Sequence, residues 1–305
     1  MSQNNSRNLG VTGASGHLGR RVVELLLESG ADHIVALTRN PEKIADLAAR
    51  GAETRPASFD DPESLRKAFA GVERALIIST DALGQPGKRL AQHRNAVEAA
   101  VRAGVKHVVY TSMPNPKPDS PIFFAPDHRG TEEALAASPL SWTALRMYWY
   151  TDFLPTKLAP AVASGQLFSA AGDGGAAYIT REDCARAAAA ALASQDTSKR
   201  TLNVTGPAVV GYAELARIAS EVSGRAVTYV PLSAQALKEG MLKAGVPAMF
   251  ADLAVGADLA MAKGYMGPAT NDFTELTGRR PTAVAEFLRA NRNALLGQAG
   301  SAAGH

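Results

Sequence analysis

A chain of 305 residues, 46% apolar and 20% charged, is long enough for one large domain or a main domain with a smaller lobe. Its 32 basic and 29 acidic residues leave a net charge of +3 without any basic block, which argues against a nucleic-acid partner. The single cysteine, Cys184, excludes a disulfide within the chain or a sulfur-built metal centre, and the six scattered histidines form no zinc or iron set.

The polar opening MSQNNSRN lacks the apolar stretch of a signal peptide, and the longest apolar run, 187–193, is far too short to span a membrane, so a cytoplasmic protein is expected. The first strand-like run, LGVT, breaks into GASGHLG and then into HLGRRVVELLLESG. In that segment Leu18, Val22, Leu25 and Leu26 fall on one helical face. Further runs rich in branched residues follow at 33–39, 52–58, 74–80, 107–113 and 142–149, with helical patterns such as AQHRNAVEAAVRAG between them. Gly30, Gly51, Gly71 and Gly104 end these helical segments, as helix-stop residues do. Six strand–helix alternations predict parallel strands joined by right-handed crossovers, a doubly wound α/β Rossmann architecture.

Beyond Tyr150 the rhythm loosens. REDCARAAAAALAS reads as a helix, RTLNVTG (200–206) is expected to rejoin the main sheet, and GYAELARIASEVSG is a further helix before AVTYVPLS. SAQALKEGMLKAG and PAMFADLAVGADLAMAKG then form two helical stretches rich in Met, Ala and Gly. The expected organisation is a nucleotide-binding domain over 1–150 and a region over 151–297 that partly completes the sheet and partly forms a small cap. The small, polar residues 298–305 read as a disordered tail.

Gly13, Gly16 and Gly19 stand between the first strand and the first helix. In a dinucleotide site the first glycine permits the tight turn and the second lets the pyrophosphate approach the backbone. The third allows close helix–strand packing, and free N–H groups of the helix face the phosphates. At the end of the second strand, where an NAD site carries Asp or Glu, the chain has LTRNPEK, with Arg39 at that spot and Lys43 one turn on. A guanidinium binds a 2′-phosphate that a carboxylate would repel, which favours NADPH over NADH.

VTGASGHLG, ALTRNPEK, DDPESLRKAFAGVERALIIS, QHRNAVEAAVRAGVKHVVYTS and YTDFL together resemble the NmrA-like atypical short-chain dehydrogenases. Within them the similarity is to bacterial NADPH-dependent quinone reductases and triphenylmethane dye reductases. The resemblance covers nearly the whole chain. It implies that Gly13, Ala14, Ser15, Gly16, His17, Leu18, Gly19, Arg39, Lys43, Phe59, Ser79, Thr80, Thr111 and Ser112 border the cofactor. Two positions depart from the family pattern, Met147 where relatives show Asn and Ser58 where an adenine-binding Asp is common. Ordinary short-chain dehydrogenases carry Tyr-x-x-x-Lys, and here FFAPDHRGTEEAL puts Phe124 and His128 at those places, as in the quinone reductases.

The missing tyrosine constrains the chemistry. Reduction of a simple ketone makes an alkoxide that must be protonated in the transition state, whereas a reduced quinone oxygen has a pKa of roughly 10 and tolerates transient charge. The expected reaction is hydride transfer from NADPH to a quinone-like or other conjugated acceptor held over the nicotinamide. Phe123, Phe124, Met147, Tyr148, Trp149 and Tyr150 are candidates for the acceptor wall or for core, and strand alternation would pair Met147 with Trp149 and Tyr148 with Tyr150. His128 is the candidate proton donor or polar anchor, a structural hydrogen bond being its other reading. His93 and Tyr110 read as structural and Cys184 as buried. GDGGAAYITRED (172–183) is either a simple hairpin turn or, by the resemblance, part of the substrate mouth. A non-catalytic NADP(H) sensor, or a reductase of an enone, imine, aldehyde or dye, would carry the same pattern. The partner is a small molecule, and the chain is compatible with a monomer or a homodimer.

Overall fold

The computed structural model describes residues 7–30 and 32–298, and most of the expected tail, from 299 on, lies outside them. Elements follow in chain order as β1 (Asn8–Val11), α1 (His17–Ser29), β2 (His33–Thr38), α2 (Ala45–Ala49), β3 (Glu53–Pro56) and α3 (Pro62–Ala68). Then come β4 (Arg74–Ile77), α4 (Lys88–Arg102), β5 (His107–Ser112), α5 (Ala125–Ala137) and β6 (Ser141–Met147). The second half contains α6 (Leu154–Ser164), β7 (Gln166–Ser169), β8 (Gly175–Ala176), α7 (Arg181–Ala193) and β9 (Arg200–Val204). It continues with β10 (Val210–Gly211), α8 (Tyr212–Ser223), β11 (Thr228–Pro231), α9 (Ala234–Lys243) and α10 (Ala248–Ala262), and closes on three short helices. No helix among the described residues is long and apolar enough to cross a membrane.

Seven parallel strands form the main sheet in the order β3-β2-β1-β4-β5-β6-β9. Alternation sorts the strand residues onto two buried faces, the pattern of a sheet covered by helices on both sides. Leu9, Val11, Ile34, Ala36, Leu76 and Val109 meet α1 and α7. Val35, Leu37, Ala75, Ile77 and Val108 meet α3, α4 and α5. The alanines of α7 let it lie close along α1 against the sheet. Its last carbonyls accept from two arginines at the sheet's lower edge. Arg74 reaches the Leu192 oxygen at 2.9 Å and that of Ala191 at 3.1 Å, and Arg7 reaches those of Ala193 and Ser194 at 2.7 and 2.9 Å. Burial lowers Arg74 to about 10. Thus residues beyond 150 supply both a covering helix and the edge strand β9, while a third apolar cluster, around α6, α8, β7 and α10, builds the attached lobe.

The strands of the main sheet end one to three residues before the expected runs do, β4 by the most. After Ile77 the three successive N–H groups of Ile78, Ser79 and Thr80 bond to side chains instead of a neighbouring strand. Their acceptors are Thr12 Oγ1, Thr111 Oγ1 and His93 Nε2, at 2.9, 2.9 and 3.0 Å. The chain reverses direction of travel across the sheet between β1 and β4, so the segment after β4 splays away there and opens a crevice at the strands' carboxyl ends. β6 likewise ends at Met147, where the backbone turns to pair with Ile179.

Buried imidazoles make the fold sensitive to acid. Burial, with Arg89 nearby, lowers His93 to about 3; burial, with Arg74 nearby, lowers His107 to about 4. Both folded values lie below the usual 6.5, so the unfolded chain takes up protons first as pH falls. Stability is therefore full above about pH 7 and declines below it. At pH 5.5 each histidine should cost about 1.4 kcal/mol. Thermal melts between pH 8 and 5.5 check this, and a melting temperature that stays flat would contradict it.

Candidate active site

Gly13, Ser15, Gly16, Arg39, Phe59, Ser79 and Thr80 line one cleft of about 380 Å³, together with Thr38, Ser58, Asp60 and Gln92. Gly13 sits at φ +63°, a left-handed turn residue, and its carbonyl accepts from the Gly16 N–H at 2.9 Å. A Cβ on Gly19 would stand 2.3 Å from that same carbonyl oxygen, so α1 can approach β1 only with hydrogen there. Gly16 leaves the α1 N-terminus without a side-chain cap, no acidic residue occupies its first turn, and Ser15, Gly16 and His17 are exposed. Such a terminus offers free N–H donors and a positive dipole end to a diphosphate. Ala14 is buried beneath the loop and Leu18 is half-buried beside it.

Arg39 is exposed where the cleft meets a second hollow of about 340 Å³ bounded by Arg55, Ser58, Asp61, Ser64 and Lys67. Lys43 is exposed but lines neither hollow, and its carbonyl caps the Arg20 guanidinium at 3.0 Å. Thr111 and Ser112 are buried and do not border the cleft. Thr111 acts one step back, holding the Ser79 N–H, whereas the Ser112 hydroxyl donates to Glu132 at 2.7 Å, itself paired with Arg146.

Thr80 is the most firmly held residue of the wall. Its N–H donates to His93, its carbonyl accepts from Arg89 Nε at 2.7 Å, and its hydroxyl donates to Gln92 at 2.7 Å. Arg89 also donates to His128 Nε2 at 3.0 Å. Backbone amide and guanidinium have only protons to give, so both imidazoles accept through Nε2 and carry their proton on Nδ1. His93 Nδ1 then donates to Thr131 at 2.9 Å, and His128 Nδ1 to the Tyr110 hydroxyl at 2.9 Å. His128 is 4% exposed, and burial with the adjacent Arg89 holds it well below its usual value. With both nitrogens taken, its geometry is that of a support for Thr80 and leaves no proton aimed at a bound acceptor.

Arg89 and Gln92 were given no role by sequence reasoning. The available signal was their spacing with His93 and Ala96, which puts polar side chains on the inward face of α4.

The aromatic segment divides. Met147 and Tyr148 are buried in the sheet core. The expected pairing of Met147 with Trp149 does not hold, because β6 has ended: the Tyr150 hydroxyl reaches the Met147 sulfur at 3.7 Å, and Trp149 turns to the other cluster with Phe124. Tyr150 stacks on Phe153 with Arg181 over both rings. Residues 172–183 pass beneath this turn, Ile179 exchanging hydrogen bonds with Trp149 and Thr151 at 3.1 and 2.9 Å. Phe124 caps α5, carries Arg89 over its ring at 5.3 Å, and meets Phe123 edge-on at 5.3 Å. Phe123 borders an open hollow of about 630 Å³ lined by Leu83, Pro86, Met249, Val255 and Leu259, immediately beyond the loop that follows Thr80.

A glycine-cradled crevice at the switch point of a doubly wound sheet defines a dinucleotide-binding α/β protein. The NAD(P)H-binding family model matches residues 13–195. Quinone oxidoreductase 2 of Escherichia coli is 36% identical over 281 residues, covering 92% of this chain and 97% of that one. Its crystal structure with NADPH superposes with a TM-score of 0.87 over 93% of this chain and 99% of that one, at 35% identity. The Citrobacter sp. triphenylmethane reductase complexed with NADP(H) gives 0.85, at 36% identity over 92% and 99% of the two chains. An NmrA-like family domain-containing oxidoreductase of Aspergillus flavus is 29% identical over 294 residues, 93% of this chain and 95% of that one. The chain belongs to the NAD(P)H-binding family and, within it, to the NmrA-like atypical short-chain oxidoreductases.

Proposed function

We propose that this protein reduces quinone-like or other conjugated small molecules with NADPH. The observation that carries this reading is the start of α5, where Phe124 and a sealed, neutral His128 stand in place of a phenol and an ammonium. No side chain there can deliver a proton to an alkoxide, so the acceptor must be one whose reduced oxygen survives as an anion until water protonates it. NADPH, when bound, supplies the hydride. The loop from Gly13 to Gly19 holds the diphosphate, Arg39 faces the 2′-phosphate, and Phe59 borders the adenosine end. Ser79 and Thr80 fix the wall along which the nicotinamide half lies. Phe123, Phe124 and Trp149, with the hollow beyond Leu83, form the apolar surface that keeps a flat acceptor in place. His128, His93 and Arg89 position Thr80 and do not touch the acceptor.

Small molecules are its partners in this reading, and the buried single thiol of Cys184 suits the reducing cytoplasm. Reduced-nicotinamide absorbance tests the proposal. Purified protein should consume NADPH with 1,4-benzoquinone and not with cyclohexanone. Binding of NADPH without turnover of any conjugated acceptor would instead make the protein a dinucleotide sensor and overturn the reductase reading.

A further inference from the structure

The attached lobe contains a second cavity of about 610 Å³ between α6, β7, α9 and α10. It shares no lining residue with the nucleotide cleft or with the hollow beyond Leu83. α10 separates that hollow from this cavity, showing Met249, Asp252 and Leu259 to the former and Ala254 and Asp258 to the latter. The wall of the second cavity is mostly apolar, with Leu167, Leu237 and Met241 among its residues, and polar groups gather at one end.

At that end Asp258 is 1% exposed and fully engaged. Oδ1 accepts from the Tyr212 hydroxyl at 2.5 Å and Oδ2 from the Ala170 N–H at 2.8 Å. Lys157 donates to the same Tyr212 hydroxyl, while the Asp258 carboxylate lies 3.8 Å from its ammonium, beyond hydrogen-bond reach. The ammonium is thus ion-paired with Asp258 and lies 4.5 Å from the Tyr212 ring centre. Its one hydrogen bond among the described residues is to Tyr212, which leaves two protons for a ligand in the cavity that the side chain, 36% exposed, lines. Gly240 lies in the wall contributed by α9, and a Cβ there would meet nothing within 4 Å. Gly240 is exposed at the cavity edge, so a larger side chain there clashes with nothing and can reach over the opening.

We propose that this cavity binds a second small molecule, a medium-length apolar chain or ring system ending in a carboxylate, with the carboxylate on Lys157 and the apolar body against α9 and α10. The size and the one polar end, where the Lys157 ammonium stands beside an Asp258 already engaged by Tyr212 and Ala170, fit such a ligand, as pockets of a few hundred cubic ångströms lined by apolar groups with few polar anchors do. Decanoate serves as the probe, titrated calorimetrically into the protein saturated with NADPH, with decan-1-ol and decylamine as comparisons. No turnover is read, so the result is independent of the reductase reading. One decanoate should bind per chain, at least tenfold tighter than decanol or decylamine, and benzoquinone should not displace it. Gly240→Leu should abolish that binding with NADPH affinity unchanged, and Lys157→Met should erase the preference over decanol. If Lys157→Met fails to fold, Gly240→Leu decides, since its side chain enters open space. Absence of saturable binding, equal binding of decanol, displacement by benzoquinone, or undiminished binding to Gly240→Leu would each overturn the proposal.

Discussion

Gly19→Val is expected to lose at least a hundredfold in NADPH affinity and with it essentially all reductase activity. The new Cβ would fall 2.3 Å from the Gly13 carbonyl oxygen, and the displaced atom is backbone with no rotamer to yield. α1 must then tilt off β1, carrying its N-terminal amides away from the diphosphate, since no side chain caps that terminus. Overpacking of this kind also costs about 1–3 kcal/mol of stability. Fluorescence titration of NADPH together with a thermal melt checks both effects. A variant that melts normally and binds NADPH as before would show that the loop is not the cradle.

Arg39→Asp should reverse the cofactor preference. Removing the guanidinium deletes charge-assisted hydrogen bonds worth about 1.5–3 kcal/mol, roughly ten- to hundredfold in NADPH binding. The new carboxylate repels the 2′-phosphate and accepts from the ribose hydroxyls of NADH, so NADH affinity should rise. Because Arg39 is exposed, the melting temperature should barely move. Measuring kcat/KM for both dinucleotides with one quinone decides the matter, and an unchanged ratio would remove Arg39 from the site.

The alternating sheet was legible because its central strands are apolar on both faces and the helices before β2, β3, β4 and β5 run into Gly30, Gly51, Gly71 and Gly104. The glycine loop and Arg39 could be read from their spacing after the first and second strands, because local backbone and charge demands leave marks at fixed positions, whereas Ser79 and Thr80 rested on the family resemblance alone. Thr111 and Ser112 lie in the expected strand but face inward, since distinguishing the last buried residue of a strand from the first one at the cleft requires knowing where its ladder stops. The aromatic run 147–150 failed the alternation rule for the same reason, the strand having ended at Met147. His128 could not be placed from sequence, because its neutrality comes from burial, reinforced by Arg89, which lies 39 residues away in the chain. Leu83, Met249 and Leu259 left no periodic signal beyond ordinary helix and loop composition.

The grip of Arg7 and Arg74 on the end of α7 has a bearing on protein engineering. A chimaera that grafts residues 151–297 of one relative onto 1–150 of another would import a helix whose C-terminal carbonyls must find those two guanidiniums, and whose alanines must mesh with a foreign α1. Exchanging the lobe alone, with α7 and β9 kept from the parent that supplies the sheet, should give soluble hybrids where the simple half-and-half splice aggregates.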